Sequence, residues 1–221
     1  MKIAHLSFPE LQLLNRDAHH LRGYFGKLFQ EYSPLLHNHL QGGEFRYSYP
    51  LVQYKVIDGI PMLVGLEEGA PLLTELFLKI IELQLNGKSY PLFEKKVACE
   101  EVTIGYTERL NRYVFKSLWM PLNQNNFSRY RQLDSAEQKL ELERLLRGNM
   151  LSMFKGLGIW LEPHQRIICG IENYVQRETK FKGQAMLAFQ ATFAANVELP
   201  KFIGLGKSVS RGFGAISKIE F

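Results

Sequence analysis

Asp58-Gly59 stands between two runs of aliphatic, aromatic and β-branched residues, 45–56 and 60–66, and predicts a tight β-hairpin. Both central positions of the favoured two-residue turn need positive φ, which Asp tolerates and Gly adopts freely. A lone hairpin is marginal in water, so its apolar face has to be covered. Helical patterns flank it on either side. After Asp17, a suitable N-cap, Leu21, Tyr24, Phe25, Leu28, Phe29 and Tyr32 recur at helical spacing until Pro34. Beyond the hairpin, Pro71 sits where a first-turn proline is tolerated. Leu72, Leu73, Leu76, Phe77, Ile80 and Leu83 follow as one apolar stripe that Asn86-Gly87 ends. Residues 1–8, closed by Pro9, read as an opening strand and 97–106 as a fourth. The order is βαββαβ, a ferredoxin-like unit.

The second half repeats that order without any residue-level repeat. An apolar run at 113–119 leads into a polar linker at 123–126. Asp134 and Glu137 form a capping box, each side chain satisfying a free backbone N–H of the first turn. The helix they start has the buried stripe Leu142, Leu145, Leu146, Met150, Met153, Phe154 and Leu157. Strands are expected at 166–177 and 181–194, then a stunted, proline-interrupted helical segment at 196–203, a glycine-rich loop and a last strand at 215–221. The fold class is therefore α+β, two tandem ferredoxin-like (RRM-like) domains spanning 1–108 and 109–221.

Charge divides along the same line. Residues 1–108 carry 10 Lys/Arg against 13 Asp/Glu, a balance of −3, whereas 109–221 carry 17 against 9, a balance of +8. A basic half is an electrostatic footprint for a polyanion, because each neutralised phosphate releases condensed counterions. No apolar run reaches the ~18 residues needed to span a bilayer, and Met1-Lys2-Ile3-Ala4-His5 lacks a secretory apolar stretch. A cytoplasmic protein with two free thiols, Cys99 and Cys169, and no membrane partner is expected.

The segment 204–214, Gly-Leu-Gly-Lys-Ser-Val-Ser-Arg-Gly-Phe-Gly, holds four glycines in eleven positions. Glycines at 204, 206, 212 and 214 let a backbone take positive φ and approach a ligand. Lys207, Ser208, Ser210 and Arg211 can meet phosphate oxygens with charge and hydroxyl donors. Gly206-Lys207-Ser208 looks like the end of a nucleotide-binding P-loop. That motif needs a glycine five positions before Gly206, where Lys201 stands, and a long following helix for which thirteen residues leave no room.

Gly-x-Gly, five residues, then Gly-Phe-Gly just before a C-terminal strand resembles the signature of the CRISPR repeat-RNA processing endoribonucleases of the RAMP superfamily. Length, element order and the position of the loop agree with that resemblance. It implies binding of CRISPR repeat RNA, one metal-independent cut per repeat in precursor CRISPR RNA, and no cofactor. A CRISPR effector complex and a second copy of the chain are further candidate partners. The alternative within the same superfamily is a non-catalytic RNA-holding subunit of an effector complex.

Such a cut needs a base near the 2′-oxygen, an acid near the 5′-oxygen and donors for the phosphorane. Histidine suits both proton transfers because its ordinary pKa, roughly 6.5, lies near working pH. The resemblance carries a catalytic role to His39 first and His37 second, just after the first predicted helix. In an extended segment residues two apart face the same way. Tyr47 is a candidate orienter or proton donor, and Arg46 a candidate for phosphorane charge. His37 and His39 also have metal-ligand spacing, but Glu44 is the one close carboxylate and a third ligand is not evident. His20 could join from the helix face, although an exposed polar face suits it better, and His5 and His164 read as structural or surface residues. Tyr24, Phe25, Phe29 and Tyr32 read as core, while Tyr47 and Tyr49 share one strand face with Phe45 and stay undecided between packing and stacking.

Overall fold

A computed structural model describes residues 1–28, 49–181 and 183–220. His37, His39, Arg46 and Tyr47 lie outside the described residues, as do Phe29, Tyr32, Pro34 and Gly42-Gly43. Two compact units emerge. One is Met1–Val102 with Val209–Gly212, the other Thr103–Ser208 with Phe213–Phe221.

In the first unit the elements run β1 (Lys2–Ser7), α1 (Ala18–Leu28), β2 (Val52–Ile57), β3 (Ile60–Leu66), α2 (Gly69–Lys79), a small hairpin of β4 (Glu82–Leu85) and β5 (Lys88–Pro91), and β6 (Lys96–Glu101). The sheet order β2-β3-β1-β6 is antiparallel throughout and is the ferredoxin-like order. Asp58 and Gly59 take φ of 51° and 84°, and Ile57 pairs with Ile60, so the predicted hairpin forms in the predicted register. Ala4, Leu6, Phe8, Val52, Tyr54, Val56 and Leu63 point from alternate strand positions into one core with Leu21, Phe25, Leu73 and Leu76 of the helices. Rings stack through it, Phe8 on Phe25 at 6.3 Å and Phe25 on Tyr54 at 5.8 Å.

Four sequence expectations shift here. The second helix stops at Lys79, because Ile80 turns extended (φ −82°, ψ 120°), and Leu83 reaches the core from a strand instead. Asn86-Gly87 is the turn of the β4–β5 hairpin, with φ of 51° and 73°. The dipeptide serves a helix end and a hairpin equally well, and pairing across it decided the matter. The run 97–106 is divided between β6 and the next strand, β7 (Gly105–Phe115), so the expected domain boundary at 108 falls inside a strand of the second unit. Tyr49 precedes β2 rather than lying in it.

The second unit continues with α3 (Gln124–Tyr130), α4 (Ser135–Gly156), β8 (Cys169–Phe181), β9 (Gln184–Glu198) and β10 (Ile216–Lys218). Sheet order β10-β7-β9-β8 is again the ferredoxin-like arrangement. Asp134 caps α4 as expected, accepting from the N–H groups of Ala136 and Glu137 while Glu137 reaches back to the Asp134 N–H. Leu142, Leu145, Leu146, Met150, Met153 and Phe154 are buried; Leu157, already past the helix, is partly exposed. They cover a sheet face carrying Tyr113, Phe115, Phe189 and Phe193, with Trp119 stacked on Phe115 at 5.1 Å. The polar linker at 123–126 starts α3, because the Asn123 side chain accepts the Asn126 N–H. No second helix fills 196–203: β9 runs on to Glu198, and a single 3₁₀ turn, Val209–Arg211, stands nearest to one. Among the described residues no helix is long and apolar enough to cross a membrane.

Candidate nucleic-acid interface

The glycine-rich loop is built in two layers. At its base, Gly204 bridges Ala215, the Leu205 N–H donates to the Gly214 carbonyl at 2.9 Å, and the Ile216 N–H donates to Ile203 at 3.1 Å. The segment 116–120 stitches this base to the second unit. The Lys207 N–H donates to the Met120 carbonyl and the Gly214 N–H to the Leu118 carbonyl, both at 2.9 Å, and the Ala215 N–H donates to Ser117 Oγ at 2.9 Å. At its tip, Val209–Gly212 belongs to the first unit, packed on α1 and β2.

The glycines act differently from the expectation that they open the backbone to a ligand. A Cβ on Gly214 would lie 1.9 Å from the Leu205 carbonyl oxygen, and one on Gly212 would lie 2.5 Å from Ala18 Cβ. Gly206, Gly212 and Gly214 all have positive φ, and the side where a Cβ would project is filled by protein. Gly204, Gly212 and Gly214 are buried. Gly206, Gly212 and Gly214 make the loop tight.

Lys207 is exposed, and Ser208, Ser210 and Arg211 are half-buried. Partial burial lowers the Lys207 pKa from its usual value. The pKa of Arg22, on α1, is lowered first by burial and then by the charge of Arg211. Helical spacing explains this, since Gly212 packs on Ala18 and Arg22 lies one turn further along the same face. Two guanidiniums within electrostatic reach of each other raise the local positive potential, which suits a phosphate.

Beneath the tip, Lys55 of β2 is wholly buried, and its Nζ donates to the Val209 carbonyl oxygen at 2.9 Å. Burial pulls its pKa down to about 7. Neither Arg22 nor Lys55 stood out in the sequence. Arg22 fits a solvated helix face and Lys55 a solvent-facing strand position, and only the loop arriving from far along the chain gives them a role.

His19 and His20 of α1 make local contacts. His20 Nδ1 lies 3.1 Å from Asn86 Nδ2 and 3.5 Å from Asp17 Oδ1, with the His19 ring 3.7 Å away. His5 is half-buried on β1, and His164 is exposed. Tyr24 donates to the Glu82 carbonyl at 2.8 Å and Phe25 is in the core, as their helical period indicated. Cys99 is exposed, Cys169 is buried, and both are free thiols.

Comparison with known proteins agrees with this architecture over its whole length. A solved structure described as Cas6b superposes with a TM-score of 0.93 at 34% identity, covering 99% of each chain. A second, described as the CRISPR RNA processing endoribonuclease Cas6b, gives 0.79 at 32% identity, covering 99% of this chain and 100% of the other. A type IV Cas6 crRNA endonuclease shares the fold at 12% identity, with a TM-score of 0.62 and 99% of both chains covered. An uncharacterized protein of Methanocaldococcus jannaschii is 36% identical over 148 residues, 66% of this chain and 98% of its own. Family models for the Cas6b N-terminal domain and the Cas6b C-terminal domain match residues 1–103 and 105–219, and the chain belongs to the Cas6b family.

Proposed function

We propose that this protein is a CRISPR RNA processing endoribonuclease that binds repeat RNA and cuts it once per repeat without a metal ion. The observation that carries the reading is the packing of the glycine-rich loop tip, Val209–Gly212 with Arg211, on α1 and β2 in a chain of the Cas6b family. Lys207 and Arg211 hold phosphates from the loop, with Ser208 and Ser210 supplying hydroxyl donors.

The proton transfers belong to His37 and His39, on the connection between Leu28, where α1 ends, and Val52, where β2 begins. One imidazole takes the proton of the ribose 2′-hydroxyl, whose oxygen attacks the adjacent phosphorus. The other gives a proton to the departing 5′-oxygen, leaving a 2′,3′-cyclic phosphate and a 5′-hydroxyl. Arg46 neutralises charge on the phosphorane and Tyr47 orients an imidazole. Each well-placed acid or base contributes on the order of a hundred- to ten-thousand-fold.

The test is incubation of labelled repeat RNA with wild-type protein, His39→Ala, His37→Ala and the double variant, in EDTA and without it. A single cut with cyclic-phosphate ends, undiminished by EDTA and lost in the variants while binding persists, is expected. Cleavage of unchanged rate by the double variant, or a requirement for added metal, overturns the mechanism. Binding with no cleavage by the wild type assigns the chain to the non-catalytic RNA-holding class.

A further inference from the structure

Helix α4 ends at Gly156, where the Ile159 N–H closes on the Phe154 carbonyl at 2.8 Å. The chain must then travel from this end to the start of β8, which lies beside an earlier turn of the same helix. The Ile171 N–H donates to Glu143 Oε1 at 2.9 Å, and the Cys169 thiol donates to the Glu143 carbonyl at 3.5 Å. From Glu143 to Gly156 an α-helix advances about 20 Å, so residues 157–168 run back along the last turns of α4. Asn196 of β9, itself buried, fixes the far end of this return. Its Oδ1 accepts the Ile168 N–H at 2.7 Å and its Nδ2 donates to the Arg166 carbonyl at 2.9 Å.

On this anchored segment Trp160 is 77% exposed. Ile168 of the same segment is 63% exposed, and Leu151 stands on the outward face of α4 between exposed Arg147 and Lys155 at four-residue spacing. Arg147 reaches Cys169, next to Ile168, and the return segment itself carries exposed Arg166 and Glu162. The whole second unit holds 16 Lys/Arg against 10 Asp/Glu, an excess of 6. An aromatic face framed by cations has the chemistry of single-strand nucleic-acid binding: a base stacks on the ring while the flanking phosphates meet the positive charges. The excess of cations over carboxylates, on this segment and across the second unit, favours a polyanion as the occupant.

We infer that Trp160, on the return segment that also carries Arg166 and Ile168 and runs back along the α4 turns bearing Arg147, Leu151 and Lys155, is a stacking platform for an unpaired nucleobase of the bound RNA. This inference rests on the RNA-binding reading above and adds a contact region outside the glycine-rich loop. The base would lie on the indole, and the recognition would be tolerant of sequence because every base presents a π-face.

The two tryptophans make the test direct, since Trp119 is fully buried and Trp160 is not. Single-stranded repeat RNA is titrated at fixed salt while intrinsic fluorescence, acrylamide quenching and filter binding are followed. Bound RNA should quench and shield the accessible emission, and Trp160→Phe should abolish that response. Trp160→Ala should weaken binding on the order of ten-fold, with Trp160→Phe within about three-fold of wild type. The salt slope should be the same in all three, because no phosphate contact is removed. Wild-type affinity in Trp160→Ala, or RNA bound with Trp160 still open to acrylamide, overturns the platform and leaves RNA binding standing. Failure of the wild type to bind RNA overturns both readings. Shielding of Trp160 that rises with protein concentration in the absence of RNA assigns the surface to a second copy and also overturns it.

Discussion

Lys55 Nζ and the carbonyl oxygen of Val209 are joined by a buried hydrogen bond of 2.9 Å across 154 positions of sequence. A strand of the N-terminal half thereby supports the tip of the C-terminal glycine-rich loop, two residues from Arg211.

That bond carries a pH signature. Burial lowers the Lys55 pKa from 10.5 to about 7 in the folded protein. Between those values the unfolded chain holds more protons than the native one, so stability rises with pH across that window, by at most ~1.4 kcal/mol per unit. The cost of burying the ammonium is fully present below pH 7. Urea unfolding at intervals from pH 6 to pH 9 should show a steeper rise for wild type than for Lys55→Met. Parallel curves for the two proteins would mean that Lys55 titrates normally.

Substitutions in the loop separate packing from ligand approach. Gly214→Ala and Gly212→Ala force a Cβ into protein atoms at positive φ, and each should cost about 2–4 kcal/mol. Gly183→Ala also meets positive φ, 78°, but has open space around it and should cost about 1–2 kcal/mol. Thermal or urea unfolding of the three variants gives the order. Full stability in Gly214→Ala would contradict the tight base described for the loop.

RNA affinity should fall steeply with salt. Lys207→Ala and Arg211→Ala should each weaken binding and flatten the plot of log affinity against log salt by ~0.7 for single-stranded RNA. Arg22→Ala should do the same if the two guanidiniums share a phosphate. A slope untouched by all three would show that phosphates are held elsewhere.

Asn196 offers a stability test far from the loop. Asn196→Ala removes both side-chain bonds to the 166–168 segment and should cost about 1–3 kcal/mol, more if both backbone groups stay dry. Hydrogen exchange should speed at the Ile168 amide before it does at the strand centre. Unchanged protection there would indicate that burial of Ile167 alone holds the segment.

The two ferredoxin-like units were legible because local signals and long-range order agreed. Asp58-Gly59 names its own turn, and Asp134 with Glu137 names a helix start. Asn86-Gly87 was ambiguous, since the same dipeptide serves a hairpin and a helix end and only strand pairing decides. The gap between β6 and β7 was hidden because Val102, Thr103 and Ile104 are as strand-like as their neighbours. At the candidate site, the glycine spacing singled out the 204–214 segment with its Lys207 and Arg211. The packing role of the glycines, and the recruitment of Arg22 and Lys55, depend on which atoms meet across more than 150 residues. No local pattern encodes that.

Because Val209–Gly212 completes the N-terminal unit, a ribosome that has released only the first hundred residues has made an unfinished domain. Its lysine at position 55 would have no Val209 carbonyl to meet, and the surface over β2 and α1 would stay wet until residues 209–212 emerged. A fragment ending near Val102 should therefore be poorly soluble or loosely folded, and supplying 209–212 through a short linker should rescue it.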